Sequence, residues 1–105
     1  MRFGIPENSL NIIISTLQDF DSIRKASIFG SRALGNYKNG SDVDIAIYGD
    51  DITSEIVNRL SILLNEDLPL PYYFDIVHYE GLDNNGLKEH INSFSVSFYE
   101  KVGNN

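Results

Sequence analysis

The 105-residue chain predicts an α+β domain, a small mixed sheet of three strands flanked by three to four helices. Three observations point there. Apolar residues recur at helical spacing in three segments, a strictly alternating run stands between the first two of them, and no repeat, biased stretch or linker interrupts the chain. One domain over residues 1–105 is therefore expected.

The elements follow in order. Residues 7–20 place Leu10, Ile13, Ile14 and Leu17 on one helical stripe, with Pro6 just before, where proline is tolerated. Residues 25–29 form a short strand that ends at Gly30-Ser31, a turn signal. Residues 42–48 alternate, with Val43, Ile45 and Ile47 on one face and Asp42, Asp44 and Ala46 on the other. Gly49-Asp50-Asp51 stops that strand. Ile52, Ile56, Val57, Leu60, Leu63 and Leu64 then mark a helix over 52–65, whose positive N-terminal end suits Asp50 and Asp51. Pro69-Leu70-Pro71 ends it and leads into an aromatic, β-branched strand over 72–79. After a turn-rich loop from Gly81 to Gly86, Leu87, Ile91, Phe94 and Phe98 predict a last helix from Leu87 to about Tyr99.

Composition excludes several function classes. There is no cysteine, so disulfides, thiolate metal sites and cysteine nucleophiles are out. Only His78 and His90 are available for imidazole chemistry, and both read as packed or surface side chains. Eight Lys and Arg against 15 Asp and Glu give a net charge of −7, the wrong sign for a domain that grips a phosphate backbone directly. No apolar run approaches a membrane span, and the segment MRFGIPENS has no apolar leader core, so a cytoplasmic protein with no membrane partner and no direct nucleic-acid binding is expected, any nucleic acid being reached only through metal ions or a partner.

Three features carry chemistry. Gly30-Ser31 at a strand end is either a plain turn or a place where backbone N–H groups approach a phosphate, with Ser31 adding a hydroxyl and Arg32 a charge. Asp42 and Asp44, at i and i+2 on a strand, project to one face about 6–7 Å apart. Such a pair is either a solvated polar edge or a site for a hard cation that relieves the repulsion. Asp75 stands midway along an otherwise apolar strand, where a carboxylate is paired with a cation or serves a site. Combined, a phosphate-approach turn and three carboxylates on successive strands are what metal-assisted phosphoryl chemistry needs, oxygen ligands for two Mg²⁺ about 3.5–4 Å apart included.

Gly30-Ser31, ten residues, then Asp42-x-Asp44 resembles the GS-x10-DxD signature of the polymerase-β-like nucleotidyltransferases. The stretch IFGSRALGNYKNGSDVDIAI is similar to the minimal, MNT-type members of that superfamily, antitoxins of HEPN/MNT toxin–antitoxin pairs. The resemblance implies the palm-like nucleotidyltransferase fold, with ATP as nucleotide donor and two Mg²⁺. It implies that Gly30, Ser31 and Arg32 hold the triphosphate, and that Asp42, Asp44 and Asp75 bind metal and catalyse, Asp75 also orienting or deprotonating the attacking hydroxyl. Many relatives read GSRARG, whereas Leu34 fills the second basic position here. A chain this short has no room for an acceptor domain, so the resemblance implies AMP transfer to a tyrosine of a small helical HEPN-type toxin. Two alternatives stay open, a non-catalytic antitoxin that neutralises by binding and transfer to a small molecule such as an aminoglycoside.

Overall fold

The alternation of Val43, Ile45 and Ile47 with Asp44 and Ala46 builds the middle of a sheet. In the computed structural model, described over residues 1–102, strand β2 (Val43–Tyr48) lies between β1 (Lys25–Phe29), antiparallel to it, and β3 (Phe74–His78), parallel to it. A parallel pair needs a crossover. It is supplied by helix α3 (Ser54–Ile62), which ends in a π-helical turn over Leu63–Asp67. Thr53, not Asp50 or Asp51, caps α3, its side chain accepting from the Ile56 N–H at 3.2 Å.

Each face of the sheet has its own cover. Val43, Ile45 and Ile47 are fully buried against Ile13 and Leu17 of α1 (Glu7–Gln18) and against Leu60 and Leu64. On the other face Ala46 and Phe29 pack under Ile91 of α4 (Asn85–Phe94). That helix starts at Asn84, whose side chain accepts from the Leu87 N–H at 3.0 Å.

The expected last helix ends early. The chain turns extended at Ser95, and Val96–Glu100 forms a strand, β4, antiparallel to the outer side of β1. The sheet thus has four strands in the order β3-β2-β1-β4 rather than three. Phe94, Val96 and Phe98 satisfy a period of two as well as the helical spacing read from Leu87. The free edge of β1 settles the matter by offering a full ladder of backbone hydrogen bonds to a β-favouring Val-Ser-Phe-Tyr run. A register shift between Ala26 and Ser27 lets the adjacent Phe98 and Tyr99 both be buried.

Candidate active site

At one end of the sheet a single cross-strand row brings candidate site residues together. Phe29 faces Asp44, and Asp44 faces Asp75, so the three side chains stand side by side on the face that α4 covers. Asp42 lies one residue before β2 and is exposed. The structure therefore brings Asp42, Asp44 and Asp75 into one neighbourhood. It differs from expectation in the setting of Asp75, which is exposed because β3 is an edge strand. Burial is not what makes this residue unusual; its place beside Asp44 is.

Electrostatics mark Asp44 as the strained member. Burial, then the neighbouring charges of Asp75 and Asp42, push its pKa from 3.8 up to about 6, with His90 opposing. Among the described residues none of the three carboxylates takes part in an ion pair. Nor do any three His, Asp or Glu side chains converge there as a finished ligand cage. The donor set still fits a hard divalent cation, because it consists of carboxylate oxygens that repel one another and, among the described residues, form no ion pair.

The turn is built into the same site. Gly30 has φ +73°, and a Cβ placed on it would collide with the Asp44 Oδ2. Its missing side chain thus makes room for the carboxylate as well as for the backbone. After it, Ser31–Leu34 form a single helical turn, α2, closed by Gly35 at φ +85°. Gly30→Ala is expected to cost about 1–3 kcal/mol of stability through the left-handed φ. It should also displace Asp44, so if the row is the nucleotide site, nucleotide affinity measured by calorimetry with Mg²⁺ present should fall further than the melting temperature implies.

Arg32, expected at a phosphate, is engaged here by the protein's own backbone. It is only 4% exposed. Its Nε and Nη2 donate to the Ser41 carbonyl at 3.1 and 2.8 Å, and its Nη1 donates to the Phe3 carbonyl at 2.9 Å. Tyr37 and Tyr72 lie against the guanidinium, each ring centroid 5.2 Å away. Arg32 ties the N-terminal segment and the loop before Asp42 to the turn. Leu34, in place of a second arginine, is exposed at the end of α2.

Two contributors were not legible beforehand. His90, read as the polar side of a helix, projects from α4 onto the turn, where its Nε2 accepts from the Gly30 N–H at 3.2 Å. Asn65 pins the start of β3, its Oδ1 accepting from the Phe74 N–H at 2.7 Å and its Nδ2 donating to the Phe74 carbonyl at 3.1 Å, and so fixes Asp75 next along the strand. His78, by contrast, points away to the Gly49 carbonyl and Glu80 and belongs to no site.

The family model described as polymerase beta, nucleotidyltransferase, matches residues 11–102. The chain belongs to that family. The aspartate row and the Gly30 turn both lie inside the stretch by which this nucleotidyltransferase matches the family. Two solved structures share its fold. One, a toxin–antitoxin with AMP-PNP, superposes with a TM-score of 0.71 at 18% identity, covering 92% of this chain and 75% of the other. The second, a mutant of the toxin–antitoxin MntA–HpeT, gives 0.70 at 19% identity, covering 87% and 72%. No curated protein matches the chain. Among the described residues no helix is long and apolar enough to cross a membrane.

Proposed function

We propose that this nucleotidyltransferase moves AMP from ATP to a hydroxyl of a partner protein, a tyrosine of a HEPN-type toxin, and thereby acts as a cytoplasmic antitoxin. The observation that carries the reading is the row itself, in which Asp44 is held against Gly30 with Asp75 on the adjacent strand and Asp42 beside it. The toxin–antitoxin nature of the two structural neighbours, one of them with AMP-PNP, supports the partner and the nucleotide.

In this proposal Gly30 and Ser31 offer N–H and hydroxyl donors to the β- and γ-phosphates. Asp42, Asp44 and Asp75 would hold two Mg²⁺, which when bound neutralise charge on the attacking and leaving oxygens. The acceptor oxygen forms a bond to the α-phosphorus, the bond from that phosphorus to the bridging oxygen breaks, and pyrophosphate leaves. Asp75, the most open of the row, takes the hydroxyl proton. An acceptor must land beside the row, and exposed apolar side chains surround it. Leu34 is on the turn helix, Tyr73 bonds through its carbonyl to the Val43 N–H, and Phe94 packs on His90. They are 49%, 63% and 51% exposed, more than large apolar side chains need to be unless something covers them.

The test is intact-mass spectrometry of the helical partner after incubation with this protein, Mg²⁺ and ATP. The expected result is one or more AMP adducts on a partner tyrosine, lost with Asp75→Ala. Asp75→Ala should still bind some nucleotide, whereas Asp42→Ala should lose both. Neutralisation that persists with no adduct, and that survives all three aspartate substitutions, would assign the protein to binding alone.

A further inference from the structure

Among the described residues, His90 is the one polar side chain outside the aspartate row and its turn that reaches the turn's backbone, and nothing in the proposed chemistry uses it. Its position is set by packing. Ile91, the next residue, is fully buried under Phe29 and Ala46, which fixes the rotation of α4 over the sheet. The imidazole then stands edge-to-face on Phe29, centroids 6.2 Å apart, and leans on Phe94 at 5.4 Å. Held there, Nε2 accepts from the Gly30 N–H, 60 residues away in sequence, so the ring's own proton sits on Nδ1.

Gly30 precedes the first residue of α2, and its N–H has no partner within that short turn. A half-buried backbone donor needs an acceptor. Here the acceptor is the lone pair of a neutral imidazole, which occupies the donor that a phosphate oxygen would use. Two acceptors cannot share one N–H, and an Nε2 lone pair facing a phosphate oxygen is repulsive. We propose that His90 is a positioning residue that stands in for a phosphate oxygen at Gly30, holding the turn in its binding shape and yielding the N–H when the triphosphate arrives. It thereby sets the affinity for nucleotide. The inference rests on the nucleotide-transfer reading of the site and adds to it the group the nucleotide displaces.

The consequence is counter-intuitive for a residue at a binding site, because removing the acceptor should tighten nucleotide binding. Releasing one net hydrogen bond corresponds to roughly threefold to tenfold in affinity. His90→Gln keeps an acceptor at the Nε2 position, whereas His90→Leu keeps apolar contact with Phe29 and Phe94 but no acceptor, and His90→Ala keeps neither. All three lose the imidazole, so any effect of its charge on Asp44 is common to them and the comparison isolates the hydrogen bond.

The experiment measures calorimetric Kd for a non-hydrolysable ATP analogue with Mg²⁺. Amide exchange at Gly30 is followed in parallel without nucleotide. The expected result is slow Gly30 exchange in wild type and His90→Gln, and fast exchange in His90→Ala and His90→Leu. The latter pair should bind threefold to tenfold more tightly than His90→Gln. Should His90→Ala not fold, His90→Leu alone decides. Equal or weaker binding by the acceptor-free variants, with wild type binding normally, overturns the stand-in and leaves the nucleotide site intact. Absence of binding by every form, wild type included, overturns both.

Discussion

Asp44→Asn is expected to lower the proposed AMP transfer by about a hundredfold or more while leaving the metal-free protein at least as stable as wild type. The first half follows from its proposed place as a metal ligand, since without it the ion that would neutralise transition-state charge is lost or misplaced, and losing one such stabilising group costs about 10²–10³ in rate. The second half follows from the row. Asp44 sits between Phe29 and Asp75 with Asp42 close by, and burial together with those like charges raises its pKa from 3.8 to about 6. A carboxylic acid with a raised folded pKa binds its proton more tightly in the native state than in the unfolded chain. Its penalty on stability is thus absent below about pH 4, grows as pH rises toward about 6, and is complete above that. Because Asp44 is partly open to water, screening keeps the penalty on the order of 1 kcal/mol. Urea midpoints in EDTA should show the gap between Asp44→Asn and wild type widening across that window and then levelling. A variant that unfolds at neutral pH instead would make Asp44 a structural residue. Mg²⁺ with nucleotide should reverse the order, stabilising wild type by mass action and the variant hardly at all.

The sequence was most informative where one physical cause acts locally. Strand β1 could be read to the residue because Gly30 ends it, and β2 to within one residue because its alternation has no helical counterpart. The aspartates and the turn were legible for the same reason, being short-range patterns on consecutive elements. The region after Phe94 was ambiguous in principle. Phe94 and Phe98 fit a helix stripe and a strand face equally well, and only the unpaired edge of β1, seventy residues earlier in the chain, selects the strand. Exposure of Asp75 depends on β3 being at the edge, a property of strand order that no local pattern encodes. His90 was hidden likewise, since its partner is Gly30. A basic residue one place after a phosphate-type turn suggests a phosphate ligand, yet Arg32 finds carbonyls 9 and 29 positions away, visible only in three dimensions.

Arg32→Ala should therefore behave as a stability mutation before it behaves as a binding mutation. It removes three hydrogen bonds, leaves the Phe3 and Ser41 carbonyls without their partner, and opens a gap between Tyr37 and Tyr72. Hydrogen bonds from a charged donor to part-buried carbonyls are each worth about 1.5–3 kcal/mol, and such losses are not additive. A total of about 2–4 kcal/mol is expected, which for a domain of this length lowers the melting temperature by roughly 10–20 °C. Arg32→Lys should recover only a small part. An ammonium on a flexible stem is a point donor that cannot match the guanidinium's fork to both carbonyls from beside the Tyr37 and Tyr72 rings. A phosphate ligand would behave differently, with stability near wild type in both variants, nucleotide affinity sharply reduced in Arg32→Ala, and much of it restored by lysine's charge. Thermal melts without nucleotide, compared with calorimetric affinity measured well below the lower melting point, separate these outcomes. Where the brace is weakened but the fold persists, nucleotide affinity should still drop modestly, because the Ser41 carbonyl anchors the residue next to Asp42. Unchanged melting in Arg32→Ala would show that the guanidinium is free to reach the triphosphate.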